Sequence, residues 1–263
     1  MRRAALILAG GGGTRLRPLS SDENPKQFLR LFEGRSLIEM TFDRVEPLVG
    51  ADAIYVSTND RYAEKTLEFL PRLPASNVIT EPARRNTAPA IALSCRAIGD
   101  ATVAVLASDH FIADEDEFRR VLDHAYRFAE SHDALVAIGI EPKEPSSEFG
   151  YLELGEEIEP DVRRVLRFTE KPSLGVAEQF LAAGNYAWNA AMSVFRTSVF
   201  FAELTRVAPE LARVTRETYD DAPAIAIDYA LMEKASSVAS IRGDFGWSDV
   251  GSFDALRRVG VDV

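Results

Sequence analysis

Four consecutive glycines, at positions 10–13, follow an apolar run directly and are themselves followed by Thr14 and Arg15. Because glycine has no Cβ, the backbone N–H groups of such a loop can turn toward a phosphate, and the ligand can approach closely. A flexible turn is the alternative interpretation, but the arginines at positions 15 and 17 favour an anionic ligand. An arginine beside bound phosphates indicates chemistry on the phosphate chain as well as binding.

The glycine loop does not fit two common nucleotide-binding patterns. A Walker A loop ends in Gly-Lys-Ser/Thr, and no such run occurs in this sequence. The dinucleotide pattern Gly-x-Gly-x-x-Gly ends at Arg15 when it is counted from Gly10, and at Leu16 when it is counted from Gly11. The loop is therefore of another type.

A second cation, Lys26, follows in the segment Asn-Pro-Lys-Gln-Phe at 24–28. The proline fixes the approach of the chain, and the lysine supplies a compact positive charge. Taken alone, a lysine in a loop is usually solvated. Shortly after a glycine loop it becomes a candidate phosphate clamp.

Two aspartates stand beside predicted strand and helix ends. Asp109 follows an apolar run at 103–107, and Asp249 precedes the final predicted helix. A single aspartate at such a point is most often a helix cap. Two of them near a triphosphate loop supply the carboxylate oxygens that Mg²⁺ prefers, together with phosphate oxygens. We therefore expect Mg²⁺ as the cofactor, bound by Asp109 and Asp249.

Short apolar runs alternate with segments of helical period in the first half of the chain. Strands are predicted at 4–9, 53–57, 103–107 and 135–140, and helices at 36–48, 60–70, 87–98 and 115–130. This alternation predicts an α/β fold with a largely parallel sheet covered on both faces. The second half is less regular, with strands predicted at 151–154, 162–169 and 190–195 and helices near 175–183 and 198–207. Since open α/β sheets bind ligands beyond the carboxyl ends of their strands, we expect the chemistry there.

Composition limits the partners. With 263 residues and no linker-like stretch, we expect one domain, with a nucleotide-binding half at about 1–140 and a second half at about 141–263. A formal net charge of −11 argues against nucleic acid or an anionic membrane as a partner. The apolar run at the start is too short for a signal sequence, no run has membrane-spanning length, and Cys95 is the one cysteine. We expect a cytoplasmic protein without an intrachain disulfide.

The segment 8–20, together with Pro25-Lys26-Gln27, resembles the signature of the sugar-nucleotide pyrophosphorylases, which are sugar-1-phosphate nucleotidyltransferases. Within that group, the stretch Glu-Pro-Ala-Arg-Arg-Asn-Thr-Ala-Pro at 81–89 is similar to the base-recognition loop of the mannose-1-phosphate guanylyltransferases. Trp-Ser-Asp-Val-Gly at 247–251, and His110 beside Asp109, match them too. The resemblance implies a Rossmann-like nucleotidyltransferase domain with a mixed, mainly parallel central sheet flanked by helices. It also implies transfer of GMP from GTP to mannose-1-phosphate, giving GDP-mannose and pyrophosphate.

The resemblance assigns roles to individual residues. Catalysis is expected from Arg15, Lys26, Asp109 and Asp249. Nucleotide contacts are expected from Leu8, Ala9, Gly10, Gly11, Gly12, Gly13, Thr14, Glu81, Asn86, Thr87, Ala88 and Ser108. Contacts to the sugar phosphate are expected from Gly150, Tyr151, Glu170, Lys171 and Asn189. Helix capping explains Thr87 and Asp228 as well, and Asp228 is not included among the expected site residues.

Two positions depart from the family pattern. Ala191 stands where the family usually has glycine, and Glu148 stands where many relatives carry glycine. Both concern the sugar side more than nucleotidyl transfer itself. Alternatives are therefore another sugar-1-phosphate nucleotidyltransferase, such as a glucose-1-phosphate thymidylyltransferase, or a non-catalytic sugar-nucleotide sensor. The chain ends at Val263, so we expect no C-terminal β-helix or isomerase domain; a homodimer is left open.

Overall fold

The computed structural model describes residues 1–11 and 13–262; Gly12, Val263 and the side chain of Thr14 lie outside the described residues. The strands are β1 Arg3–Leu8, β2 Ile54–Asn59, β3 Val78–Glu81, β4 Thr102–Ala107, β5 Phe111–Ile112, β6 Leu135–Ile140, β7 Tyr151–Glu159, β8 Val162–Thr169, β9 Tyr186–Arg196, β10 Val238–Gly243 and β11 Trp247–Ser248. The helices are α1 Leu37–Val49, α2 Ala63–Phe69, α3 Thr87–Ile98, α4 Glu115–Ser131, α5 Leu174–Ala183, α6 Thr197–Val207, α7 Pro209–Ala212 and α8 Phe253–Arg258.

Nine of these strands form one mixed sheet in the order β3-β2-β1-β4-β9-β6-β10-β8-β7. The first four run parallel to one another, as expected from the alternation of strands and helices. Strand β9 is antiparallel to both of its neighbours β4 and β6, and β6 pairs in parallel with β10. The predicted α/β class with a mixed central sheet is confirmed.

Alternation along β1 explains why helices cover both faces of the sheet. Ala5 and Ile7 belong to the core beneath α1 and α4, whereas Ala4 and Leu6 belong to the core beneath α3. All four side chains are fully buried. A strand that is buried on both faces has a continuous apolar sequence, and this pattern predicted β1.

Local signals set the helix boundaries near the site. The N-cap of α4 is Asp114, whose carboxylate accepts a hydrogen bond from the backbone N–H of Glu117, and three acidic residues occupy the first turn. The N-cap of α3 is Asn86, whose side chain accepts from the N–H of Thr87. Thr87 is therefore the first helical residue and not the cap.

A small two-stranded ribbon joins distant parts of the chain. Strands β5 and β11 pair antiparallel, with Trp247 opposite Ile112 and Ser248 opposite Phe111. The pairing holds the loop after β4, which carries Asp109, against the segment before α8, which carries Asp249. The ribbon is the element that brings the two aspartates to one place.

Across residues 1–11 and 13–262, we found no helix that combines the length and the apolar character required to traverse a lipid bilayer.

Candidate functional site

A cavity of about 590 Å³ opens at the carboxyl ends of β1, β3 and β4, a size typical of small-ligand sites. Leu8 and Glu81, the last residues of β1 and β3, line it, as do Ser108 and Asp109 just beyond β4. Strand β9 contributes the opposite wall through Asn189, Ala191, Met192 and Ser193. Both halves of the chain therefore contribute to one cavity, at the strand ends where the sequence predicted chemistry.

The glycine loop lies against the segment that carries Lys26. Gly10 and Gly11 line the cavity, and Gln27 Nε2 donates to the carbonyl oxygens of Ala9 (2.8 Å) and Gly11 (3.2 Å). Gly13 has φ +58°, and a Cβ there would lie 2.6 Å from the backbone N of Lys26. A side chain at Gly13 would push the two segments apart, which explains the need for glycine. Ala9 is fully buried and does not line the cavity.

Lys26 connects the two predicted metal ligands. Its buried Nζ lies 3.0 Å from Asp109 Oδ2 and donates to the main-chain carbonyl of Asp249. Burial alone would raise the pKa of Asp109, but the charge and the hydrogen bond of Lys26, with a further contribution from the charge of Arg15, hold that pKa below its ordinary value. The Asp109 carboxylate is therefore ionised at neutral pH, and its side chain is still 36% exposed.

The turn around Asp249 is strained. Val250 is β-branched and fully buried, yet its φ is +46°, a conformation that costs on the order of 1–3 kcal/mol. The N–H of Gly251 donates to Asp249 Oδ1 (3.2 Å), and the N–H of Val250 donates to Ser248 Oγ (3.2 Å). The first bond holds the Asp249 carboxylate, and the second stabilises the turn that carries it. Strain of this kind is common where a functional side chain is held in position.

Arg15 projects over the same group from the solvent side. Its Nη2 lies 3.7 Å from Asp249 Oδ2, and its Nη1 donates to Glu148 Oε2 at 3.2 Å. The side chain is 63% exposed, so it can move toward a bound anion at little cost. Glu148, which departs from the family pattern, thus contacts the predicted catalytic residue Arg15.

His110 contributes as a neutral ring. Trp247 Nε1 donates to His110 Nδ1 at 3.1 Å, and the two rings meet edge to face. Burial lowers the pKa of His110 to about 4, although the neighbouring carboxylate of Asp109 opposes that shift. The neutral imidazole accepts from the tryptophan and so fixes the ribbon to the Asp109 loop.

The residues present fit a divalent cation that is shared with a phosphate ligand. Among the described residues, no group of three or more His, Cys, Asp or Glu side chains has the arrangement of a metal site. Lys26 contacts the Asp109 carboxylate and the main-chain carbonyl of Asp249, so the two aspartates lie close together. Mg²⁺ is commonly held by one or two carboxylates plus phosphate oxygens and water. The donor set therefore suits Mg²⁺ bound together with a nucleotide better than a metal held by protein alone.

Glu81 lies on the wall beside the glycine loop. Its carboxylate is buried and accepts hydrogen bonds from Ser57 Oγ (2.9 Å) and Tyr219 OH (2.8 Å). Burial raises the pKa of Glu81, and the bonds from Tyr219 and Ser57 counteract part of that rise. Gly10 packs so closely that a Cβ there would lie 3.1 Å from Glu81 Oε1.

The start of α3 holds a second segment in place. Asn86 has φ +67° and lines the cavity together with Thr87. Thr87 Oγ1 accepts from the N–H of Ile227 (2.9 Å), and the N–H of Ala88 donates to the carbonyl of Ile225 (3.1 Å). The N-terminal turn of α3 is thus tied to the chain at 225–227, and Ala88 is fully buried.

The side of the site formed by the second half is rich in carboxylates. Asn189 Nδ2 donates to Asp228 Oδ1 (3.2 Å), and both residues line the cavity. Glu170 is mostly buried nearby, and burial, followed by the charge of Asp228, raises its pKa to about 7. Lys171 has φ +46° and its Nζ lies 3.5 Å from Glu170 Oε1.

Two further predicted residues support this part of the site. A Cβ at Gly150 would lie 2.5 Å from Glu170 Oε2, so glycine is needed for this close approach. The Gly150 carbonyl accepts from the N–H of Asn189 (2.8 Å). Tyr151 is fully buried, and its hydroxyl accepts from the N–H of Ser146. Gly150, Tyr151, Glu170 and Lys171 do not line the cavity directly.

Sequence reasoning missed several residues of the candidate site. Asp228, which helix capping explains equally well from the sequence, lies on the cavity wall beside Asn189. Arg84 and Arg85 line the cavity from within the recognised loop at 81–89, where the two adjacent arginines were a usable signal. Tyr219 lies in a stretch without any periodic or motif signal, so only the fold shows its contact with Glu81.

A glycine loop, a buried lysine and two aspartates lie beside one cavity at the strand ends of an α/β fold, an arrangement that suits a phosphate-containing ligand. The chain belongs to the nucleotidyl transferase family, whose model matches residues 4–263. The resemblance seen in the sequence is thereby confirmed at the level of the family.

Comparison with individual proteins gives consistent results. The chain is 38% identical to a mannose-1-phosphate guanylyltransferase of Sinorhizobium fredii over 278 residues, which cover 96% of this chain and 54% of that protein. It is 36% identical to a mannose-1-phosphate guanylyltransferase of Escherichia coli K12, covering 97% of this chain and 59% of that protein. The chain thus spans a little over half the length of these curated relatives.

Solved structures support the fold. A structure from Thermus thermophilus, described as a mannose-1-phosphate geranyltransferase, superposes with a TM-score of 0.90 at 34% identity, covering 100% of this chain and 80% of that chain. A UDP-glucose pyrophosphorylase in complex with UDP-glucose superposes with a TM-score of 0.71 at 18% identity, covering 98% and 97% of the two chains. The second similarity is one of fold alone.

Proposed function

We propose that this chain transfers GMP from GTP to mannose-1-phosphate, giving GDP-mannose and pyrophosphate. One observation carries the proposal: Lys26, Asp109 and Asp249 meet beside a single cavity whose walls include both Glu81 and Asn189. A nucleoside triphosphate and a sugar phosphate can then meet at the charged group. The names of the relatives that match nearly the whole chain support the choice of substrates.

In this proposal, Glu81 reads the base. An ionised carboxylate only accepts hydrogen bonds, and guanine offers two neighbouring donors, N1–H and the 2-amino group. The Watson–Crick edge of adenine presents its N1 as an acceptor, which a carboxylate repels. A site built to bond a polar group rejects ligands that leave the group unpaired. The guanine specificity is thus attributed to an acceptor-only residue in the pocket.

The triphosphate lies along the glycine loop. Gly10 and Gly11 line the cavity, where backbone N–H groups can bind phosphate oxygens, and Arg15 and Lys26 supply positive charge close to Asp249 and Asp109. Arg15 is exposed and mobile enough to follow the departing pyrophosphate, whereas Lys26 is buried and fixed. Two cations of different mobility suit a reaction in which one product leaves and the other stays.

Mg²⁺ is the proposed cofactor, with Asp109 and Asp249 as its protein ligands. When bound, it supplies charge neutralisation on the phosphate oxygens of both substrates. Lys26 holds Asp109 in its ionised form and fixes the main chain at Asp249. Lys26 therefore keeps the two aspartates in position to bind the metal ion.

On the sugar side, Asn189 and Glu170 form hydrogen bonds with sugar hydroxyls, and Lys171 neutralises the charge of the sugar phosphate. At the cavity wall, the Asp228 carboxylate accepts a hydrogen bond from the Asn189 side chain. Gly150 allows Glu170 to approach, and Tyr151 supports the strand below. The raised pKa of Glu170, about 7, allows this residue to bond a hydroxyl either as donor or as acceptor near neutral pH.

The reaction needs no protein nucleophile. A phosphate oxygen of mannose-1-phosphate forms a bond to the α-phosphorus of GTP, the bond from that phosphorus to the bridging oxygen breaks, and its electron pair leaves with pyrophosphate. Catalysis then comes from positioning and charge neutralisation, which is the contribution the site residues can make.

A substrate panel tests the proposal. Pyrophosphate release is measured with GTP, dTTP, UTP, ATP and CTP against mannose-1-phosphate and glucose-1-phosphate. We expect the highest kcat/KM for GTP with mannose-1-phosphate. A preference for dTTP with glucose-1-phosphate would instead support a thymidylyltransferase, and binding of GDP-mannose without pyrophosphate release would support a sensor.

The cytoplasm is the proposed location, because nucleoside triphosphates are made there. A single nucleotidyltransferase domain is likewise proposed, in line with the continuous sheet that contains strands from both halves. A homodimer stays a prediction, which light scattering of the purified chain tests.

A further inference from the structure

The carboxylate of Glu81 is held between two hydroxyl groups that come from different parts of the chain. Ser57 on β2 donates to Oε1 at 2.9 Å, and Tyr219 donates to Oε2 at 2.8 Å. Each carboxylate oxygen has two acceptor positions, so each keeps one for a ligand. Both hydroxyls are donors here, which favours the acceptor-only form of Glu81.

Tyr219 is itself held firmly. It is fully buried in the segment between α7 and the turn Asp228–Met232. On one side of it, Arg216 donates to Asp60 Oδ1 (3.0 Å) and to the carbonyl of Thr80 (2.6 Å); on the other side, the Asp220 carbonyl accepts from Arg85. These contacts restrain the chain on both sides of Tyr219, which favours the position of its hydroxyl beside Glu81.

We propose that Tyr219 is a positioning residue for base selection, whose hydroxyl sets the orientation in which Glu81 accepts from the N1–H and the 2-amino group of guanine. The inference rests on the proposed function and names a residue outside the recognised motifs. Tyr219 does not line the cavity, so it acts through Glu81 and does not touch the base. If the Tyr219 hydroxyl is removed, the Glu81 carboxylate keeps one hydrogen bond, from Ser57. The orientation of its other oxygen is then no longer fixed.

Inosine triphosphate is the probe that isolates this effect, because it has the N1–H and lacks the 2-amino group. A positioned carboxylate prefers GTP to ITP, since only guanine bonds both oxygens. A loosened carboxylate loses part of that preference. A general loosening of the site, by contrast, weakens both nucleotides equally and leaves the ratio of their kcat/KM values unchanged.

The experiment compares the wild type with Tyr219→Phe and Tyr126→Phe. The control removes an equally buried hydroxyl, one that donates to the carbonyl of Ala4 at 2.7 Å away from the cavity. We expect the wild type to prefer GTP over ITP by about 10-fold or more, as one hydrogen bond to a charged group allows. In Tyr219→Phe we expect that preference to shrink to about 3-fold or less, through KM and with little change in kcat. Tyr126→Phe keeps the wild-type ratio.

Ser57→Ala provides a second variant, which removes the other anchor and is expected to shift the same ratio in the same direction. If GTP and ITP weaken in parallel in both variants, Tyr219 has only a structural role and the inference is wrong. A wild type that uses the two nucleotides equally also overturns it, while leaving nucleotidyl transfer intact. A wild type that releases no pyrophosphate contradicts the proposed function; calorimetric Kd values for GTP and ITP in the same variants then decide the role of Tyr219 separately.

Discussion

Arg15 Nη1 lies 3.2 Å from Glu148 Oε2, although 133 positions separate the two residues in the chain. Arg15 is a proposed catalytic residue, and Glu148 stands where many relatives carry glycine. Both side chains are more than 60% exposed, so the pair contributes at most about 1 kcal/mol to stability. The main effect of Glu148 is therefore on the availability of Arg15, because a triphosphate must compete with this carboxylate.

Glu148→Gln is expected to lower the KM for GTP by roughly 2- to 5-fold, since the competing charge is worth less than about 1 kcal/mol. Steady-state kinetics at low ionic strength measures the change, which salt should weaken. Glu144→Gln is the matched control, because that exposed carboxylate pairs with Arg258. An unchanged or raised KM for GTP would show that Glu148 does not restrain Arg15.

Asp109→Asn and Asp249→Asn are each expected to reduce kcat by roughly 100-fold or more, as the loss of one charge-stabilising group typically does. Asp109→Asn also leaves the buried ammonium of Lys26 without its counter-charge, so the free energy of unfolding of this variant should fall as well. Pyrophosphate release over a range of Mg²⁺ concentrations, together with urea unfolding, separates the two effects. Asp116→Asn, at a highly exposed aspartate, controls for loss of charge. Near-normal turnover in either variant would contradict the metal assignment.

Ala191→Gly tests the second departure from the family pattern. Ala191 has φ +52° and lines the cavity, and an L-residue in this conformation costs roughly 1–2 kcal/mol. Because glycine loses about 0.5–1 kcal/mol through its greater chain entropy, we expect a small net gain in stability and a lower KM for the sugar phosphate. Ala190→Gly, at the neighbouring buried strand residue, should instead destabilise the fold. Thermal unfolding and kinetics of both variants check the contrast, and a destabilised Ala191→Gly would refute the strain argument.

Glu170→Gln tests the raised pKa on the sugar side. The pKa of Glu170 is about 7 in the folded chain against an ordinary 4.5, so the folded state binds the proton more tightly than the unfolded state. The stabilisation is present below about pH 4.5 and is lost as the pH rises toward 7. Glutamine does not ionise, so the variant should gain stability over the wild type between about pH 5 and pH 8, on the order of 1.4 kcal/mol per pKa unit.

Urea unfolding at both pH values measures this difference. Glu178→Gln, at an exposed carboxyl on α5, is the matched control for the loss of one carboxylate. If Glu170→Gln and the wild type keep a constant difference in stability across the range, burial does not hold the proton on Glu170.

Much of the fold could be predicted from the sequence, because its elements carry strong local signals. Helix α3 begins and ends at the predicted residues, 87 and 98, and β6 and β8 also lie at their predicted ranges. Strands β3 and β10 were not predicted. Strand β3 has only four residues, and β10 is specified by its neighbours β6 and β8 more than by its own pattern.

The same limit applies to the site. The lysine and the two aspartates at positions 26, 109 and 249 indicate phosphate and metal chemistry from the sequence. The two aspartates come together through the pairing of β5 with β11, and hydrophobic periodicity does not predict this pairing. The contacts of Tyr219 with Glu81, and of Arg15 with Glu148, join segments that are far apart in the chain. Such pairs follow from the tertiary arrangement, so they could not be read from either segment alone.

Strand β9 has a consequence for engineering. It lies between β4 and β6 and bonds to both, while β6 also pairs with β10, so the two proposed substrate sides share one continuous hydrogen-bonded framework. Consider a chimera in which one side of the site comes from another family member and the other side from this chain. Its β9 would have to form hydrogen bonds with both β4 and β6. Sugar or base preference in this scaffold is therefore better altered by point changes on the cavity wall than by swapping whole segments.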